Sequence, residues 1–291
     1  MPAPETHSAS PVAQTSSLVL ALPAAVVAQT FTAAIMFAPA VLAPAASVDI
    51  GVPATLVGVV TALIYLSSAM VAPAAGAHVP RIGALRTTQF GLLLAGTGLA
   101  LSVIAHPLVI VIAALVIGLG YGPSTPSGSA LLAEHTPPRF RNVIMSVRQT
   151  GVPLGGALAG FAIPWLISMG GWRMAVLVCA GACVVIAICL QPLRATLDHP
   201  TARAAAAPAG FMDALRLLRS HAELRRISLT AFLFGGVQLS FASFLVVFLV
   251  ERAGLSMVRA GAVLSVAMLS GMTGRLLWGA AADYFRSARG V

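Results

Sequence analysis

The chain has no lysine: all 17 of its basic residues are arginine. Acids are scarcer still, eight in total, and charged residues make up 9% of the 291 positions. Soluble domains carry about 25% charged residues, so this chain has too few to cover a water-facing surface. Cysteine is confined to Cys179, Cys183 and Cys189, all within one apolar run. Cys179 and Cys183 share a helix face, but no His or carboxylate stands near them to complete a metal site. They read as small apolar packing residues. The six histidines, His7, His78, His106, His135, His199 and His221, are scattered over tails and loops. No Ser/His/Asp set, metal-ligand cluster or glycine-rich phosphate loop is present, so neither an enzyme nor a bound cofactor is expected. A cleavable signal is missing too. Residues 1–17 contain no Arg, and the first apolar segment is too long for a signal h-region.

What is abundant is apolar sequence, at 58% of residues with a mean hydropathy of +0.95. It falls into runs of about 20 residues, the length that crosses about 30 Å of hydrocarbon. Eight such runs are expected, at 18–42, 54–76, 88–105, 108–132, 143–168, 172–192, 227–250 and 258–281. Lipid admits only helices or closed barrels, and these runs show no period-2 alternation, so an all-α membrane protein is predicted. The net charge of +9 suggests phosphate binding, yet the arginines lie in short loops between runs, which excludes a basic nucleic-acid face. With the N-terminus inside, 14 arginines fall on the cytoplasmic side, and only Arg173, Arg252 and Arg259 fall outside. A multi-pass protein of the plasma (inner) membrane is the expectation. Its parts are a disordered cytoplasmic tail (1–17), a six-helix bundle (18–192), a cytoplasmic central loop (193–226) with a short charged helix from Phe211 to Arg226, and two further helices (227–291).

The halves repeat. Gly58, Gly76 and Arg86 recur as Gly261, Gly279 and Arg289, each at an offset of 203. Gln29 pairs with Gln238 after a 6-residue loop difference, each near the middle of a long apolar run. Such a repeat in a membrane chain is the pattern of a secondary transporter built from two related bundles. The second copy reaches Val291 after about two helices, so a C-terminally truncated chain is expected. On that reading the second bundle has an open apolar face for a partner or second copy to cover. A non-transporting fragment or membrane scaffold is the alternative.

Several stretches resemble one family. Gly76, Arg81 and Gly83, with Arg86 in the trailing basic cluster, are similar to the loop between helices 2 and 3 of the major facilitator superfamily, Gly-x-x-x-Asp-Arg-x-Gly-Arg-Arg; Pro80 stands where the Asp is usual. Arg275, Gly279 and Asp283 look like the corresponding loop between helices 8 and 9, with Tyr284 in place of the Arg. The stretch from Ser146 to Gly156, with Arg148, Gly151, Pro153 and Gly155, resembles the fifth helix of cyanate-permease-like members. It also partly resembles the Gly-Pro-x-x-Gly-Gly motif of drug antiporters, with Pro153 displaced by one position. The resemblance covers nearly all of residues 18–289. It implies a bundle with a complete six-helix first half plus the first two helices of the second, the paired loops acting as a cytoplasmic latch. It also implies alternating-access transport of a small organic solute, an anion being one class. Without the Asp, the first latch is expected to be weak. Partners expected are that solute, a co-transported ion and the lipid bilayer, with no nucleic acid and no assigned protein partner.

An ionisable residue inside a membrane span is costly and functional by default. All eight acids fall in tails, loops or span ends, and the Arg often found in the fourth helix of proton-coupled antiporters is replaced by Ala114, which disfavours proton-coupled drug efflux. Arg148 lies about one and a half turns, roughly 9 Å, into the fifth span. It either snorkels to the headgroups or faces a central cavity and attracts an anion. Arg275 has the same ambiguity, with latch pairing as its alternative to snorkelling. Gln29 and Gln238 serve either as interhelical packing contacts or as substrate ligands. Tyr121 is a further substrate-binding candidate, with Thr30, Tyr65 and Ser240 behind it.

Overall fold

A computed structural model describes residues 11–137, 140–198 and 211–284. Among these residues the chain is helical and contains no strand. The elements are α1 (Pro11–Ile50), α2 (Val57–Ile82), α3 (Ala84–Leu101), α4 (Pro107–Tyr121), α5 (Ser124–His135), α6 (Arg141–Gln149), α7 (Gly151–Cys189), α8 (Arg194–Leu197), α9 (Phe211–Ser220), α10 (Ala222–Glu251) and α11 (Met257–Tyr284). Seven helical segments among the described residues are long and apolar enough to cross a membrane.

Three boundaries differ from the sequence expectation. The first helix begins at Pro11, inside the stretch assigned to a disordered tail, because proline suits the first turn of a helix. It continues to Ile50 through Pro39 and Pro44, where neighbouring helices and lipid leave helix as the accessible backbone state. The charged helix expected over Phe211–Arg226 is broken at His221, whose extended backbone (φ −121°, ψ 114°) separates α9 from α10.

The largest segment, Val143–Cys189, has 47 residues. A straight helix of that length would measure about 70 Å, over twice the roughly 30 Å hydrocarbon thickness. It is interrupted at Gly170 and Gly171, and Gly171 takes φ 81°, a backbone state open to glycine at little cost. Before the break α7 runs alongside α1 in the same direction: Gly151 meets Gln29, and Gly155 meets Ala33. Just past it, the Trp172 indole donates to Asp49 near the end of α1 at 2.9 Å. After the break α7 returns along α3 in the opposite sense. Cys183 packs on Gly96, and the Ala187 carbonyl accepts from Gln89 Nε2 at 2.7 Å. The glycine pair therefore turns one long apolar run into two antiparallel arms.

The repeated glycines mark where the later helices meet the earlier ones. Gly58 on α2 faces the Phe244 ring of α10, where a Cβ would come within 2.6 Å. Its repeat partner Gly261 on α11 lies against the backbone of Gly160 on α7. Ser265 locks the second contact by donating to the Ala157 carbonyl at 2.8 Å. Small residues allow this approach, and packing rather than water exclusion holds helices together in lipid. The core draws on nearly every helix, with Ile35 (α1), Ile64 (α2), Leu92 (α3), Ile117 (α4), Leu131 (α5) and Ile163 (α7) almost fully buried. The first half of α10 presents Phe232, Phe234 and Val237 outward.

Candidate functional site: a buried arginine and an arginine-rich end

Arg148, at the end of α6, does not snorkel. It is 2% exposed, and its Nη1 donates to Gln29 Oε1 at 3.0 Å. Two glycines make room for the pair. A Cβ on Gly128 of α5 would come within 2.8 Å of Arg148 Nη1, and one on Gly151 within 2.9 Å of Gln29 Cβ. Gln29 is equally buried, so one amide from α1 and one guanidinium from α6 meet in the interior.

The pairing is incomplete. Arg148 Nε and Gln29 Nε2 are buried donors without a hydrogen-bond partner, and Ser124 Oγ on α5 is likewise unsatisfied. Gln29, Ser124, Gly128 and Thr88 line a cavity of about 10 Å³. That is room for about one water molecule and not for an organic solute, so the helices are closed over the arginine. Tyr121, at the end of α4, is within electrostatic reach of Arg148. It stacks edge-on against Tyr65 of α2, with ring centroids 6.2 Å apart. Three of the four expected substrate residues, Gln29, Tyr121 and Arg148, are thus neighbours. The fourth, Gln238, is exposed on α10, next in sequence to the exposed Val237. Thr30 bonds back to the Val26 carbonyl of its own helix, and Ser240 is exposed.

At the arginine-rich end, Gly83 forms the sharp link between α2 and α3 at φ 101°. Arg81 and Arg86 are exposed, and Arg86 stacks on Phe90, 5.7 Å from its ring centre. Gly76 does not make an unusually close helix contact, since a Cβ there would sit 4.0 Å from Pro126 Cβ. The backbone of Arg275, Gly279 and Asp283 continues α11, while their side chains lie outside the described residues.

Sequence reasoning missed the group that organises this end. Asp198, which follows α8, accepts hydrogen bonds from the amides of Leu85 at 2.7 Å and Arg86 at 2.9 Å. It caps the first turn of α3 from 112 residues away in sequence, where orphan amides and the helix dipole favour a carboxylate. His135 pins the neighbouring turn: its ring nitrogens lie 3.1 Å from Ser17 Oγ and 3.2 Å from the Leu197 carbonyl oxygen. The one available signal was an isolated acid in an arginine-rich linker, which does not reveal its partner. At the opposite end, Asp49 accepts from Arg173 Nη1 at 2.6 Å and from Trp172, holding the end of α1 against α7.

The comparisons with known proteins agree with this architecture. A bacterial homologue of the human lysosomal transporter Spinster, solved inward-facing and occupied, superposes over 92% of this chain and 62% of its own with a TM-score of 0.70. At 18% identity that likeness concerns the fold. The gallate transporter of Pseudomonas putida is 30% identical over 152 residues, which is 50% of this chain and 32% of that protein. A 4-hydroxybenzoate transporter of Acinetobacter baylyi is 34% identical over 64 residues, 22% of this chain and 14% of its own. The chain matches between 14% and 37% of the length of its curated relatives. The Major Facilitator Superfamily model matches residues 24–290, nearly the whole chain, and the chain belongs to that superfamily.

Proposed function

We propose that the protein is a secondary transporter that carries a small organic anion by alternating access, with Arg148 and Gln29 as the anion-recognition pair and Tyr121 beside them. The supporting observation is the buried guanidinium. A charged side chain buried inside a membrane span is costly, up to about 2.5–3.5 kcal/mol at a helix centre on insertion scales, so a buried Arg148 points to a task. Its Nε and Gln29 Nε2 point at no protein acceptor, and together they match the two acceptor oxygens of a carboxylate. The edge-on Tyr65–Tyr121 pair adds aromatic surface against which a ring can pack. Gallate and 4-hydroxybenzoate, the solutes in the relatives' names, are aromatic carboxylates, and the cyanate-permease-like resemblance of the fifth helix also speaks for an anion.

The same reading assigns α1 to α7 to six crossings of the first half, the 193–226 linker to the cytoplasm, and α10 and α11 to the second half. The arginine-rich end then faces the cytoplasm of an inner-membrane protein. Gln238, on the pseudo-symmetric helix of the second half, approaches the pathway only in another access state. In the closed state described above, the anion enters after α1 and α5 separate around Arg148.

The test is binding of 4-hydroxybenzoate and gallate to the purified full-length protein, with the neutral methyl ester of 4-hydroxybenzoate as control. A charge-assisted hydrogen bond contributes about 1.5–3 kcal/mol, so Arg148→Gln should weaken acid binding roughly 10- to 150-fold and leave ester binding unchanged. Equal binding of acid and ester to the wild type, or wild-type binding by the variant, would sink the anion reading.

A further inference from the structure

The arginine-rich end carries a second basic feature, separate from Arg148. Arg81, Arg86 and Arg194 line a cleft of about 700 Å³ together with Ile82, Phe90 and Asp198. Its volume is that of an ordinary ligand site, which spans about 300–1,000 Å³. Three guanidinium groups face one carboxylate. That carboxylate is committed: both of its oxygens accept α3 amides, and it is 6% exposed. Its contact with Arg194 Nε, at 3.6 Å, is too long for a hydrogen bond. Among the described residues neither Arg81 nor Arg86 has an acid within ion-pair distance. Pro80, where related loops carry Asp, leaves this loop without its own acid.

The cleft continues into an apolar track. Below Arg86 on the same face of α3 come Phe90, Leu93 and Leu94, all outward-facing, at the i, i+4, i+7 and i+8 spacing of one helical stripe. Alongside runs the returning arm of α7, antiparallel to α3, with Val184, Val185 and Ile188 also outward. Cations at the headgroup level, with a greasy seam leading from them into the hydrocarbon, match the two ends of a phospholipid.

We infer that this cleft is a binding site for an anionic phospholipid. The phosphate sits among Arg81, Arg86 and Arg194, and an acyl chain lies in the α3–α7 seam over Phe90. Free phosphate shares the headgroup chemistry but not the seam. Membrane-proximal basic pockets between helices bind such headgroups, and each arginine contributes enough that removing two should cost roughly 30-fold in affinity. The inference does not depend on Arg148 or on transport.

Native mass spectrometry of the full chain, released from detergent with phosphatidylglycerol or phosphatidylcholine, tests it. The wild type should retain phosphatidylglycerol preferentially. The Arg81→Gln/Arg86→Gln variant should lose that preference by about 30-fold. The charge-matched Arg252→Gln/Arg259→Gln variant, at the opposite end, should keep it. Phe90→Ala should weaken lipid retention without restoring phosphatidylcholine. Equal retention of both lipids by the wild type, or equal loss in the two arginine pairs, overturns the site. Displacement of phosphatidylglycerol by inorganic phosphate at matched concentration overturns the lipid assignment in favour of a free anion. Intact helical circular dichroism in each variant keeps the comparison a test of binding.

Discussion

Removing the Asp198 carboxylate should open the start of α3 and little else. The side chain holds two backbone amides, Leu85 at 2.7 Å and Arg86 at 2.9 Å, from a position almost closed to solvent. Losing a side-chain N-cap costs about 1–2 kcal/mol, and losing its charge at the helix N-terminus about 0.3–1 kcal/mol more. Asp198→Ala should therefore destabilise this turn by about 2 kcal/mol, a factor of roughly 30 in local opening. Asp198→Asn keeps one acceptor oxygen but not the charge and should cost about half as much, roughly fivefold. Hydrogen exchange read by mass spectrometry on a peptide covering 83–88 is the assay. Exchange should accelerate there in the order Ala over Asn over wild type, while peptides from α4 and from the first arm of α7 stay unchanged. If the 83–88 amides exchange at the wild-type rate in Asp198→Ala, the cap contributes nothing. If every helix accelerates equally, the residue acts on global stability rather than on this loop.

Three further outcomes follow from the same geometry. Gly128→Ala puts a methyl group within 2.8 Å of Arg148 Nη1, so it should weaken aromatic-acid binding at least tenfold while changing thermal stability little, read by paired binding and melting curves. Gln29→Leu strands the buried guanidinium and should destabilise by about 2 kcal/mol; the Gln29→Leu/Arg148→Leu pair should recover most of that loss, and a double-mutant cycle on thermal denaturation in detergent checks it. Gly261→Leu drives a side chain into the Gly160 carbonyl and should cost about 1–3 kcal/mol, with a disulfide between Cys introduced at Ala157 and Ser265 no longer forming.

Much of the fold is legible because lipid imposes it. Hydrophobic length marks the crossings, and the boundary between the fifth and sixth runs, drawn between 168 and 172, falls on the Gly170–Gly171 break. Arg148 and Gln29 stand out singly because polar groups within apolar runs are costly. Their meeting is not legible. It depends on α1 and α6 lying side by side with Gly128 and Gly151 removing two side chains, and no local pattern encodes that. Gln238 shows a limit of the repeat, since symmetry assigns an equivalent position but says nothing of its exposure on α10. Asp198 was invisible as a cap because caps are normally sought within a few residues of the helix they close, and this one arrives from the far side of four crossings.

The seam between α7 and α11 brings glycine to glycine where the two helices come closest. At Gly160 and Gly261 backbone meets backbone, flanked by the Pro164 ring and fastened by the Ser265 hydroxyl. Toothed interfaces change alignment by climbing over one another, which requires rotamers to be broken and remade at every step. A bare-backbone contact behaves instead like a plain bearing: one helix pivots on the other while the neighbouring packing stays largely in place. If the proposed transport cycle operates, the glycines at this contact give the two helices a pivot at a fixed position.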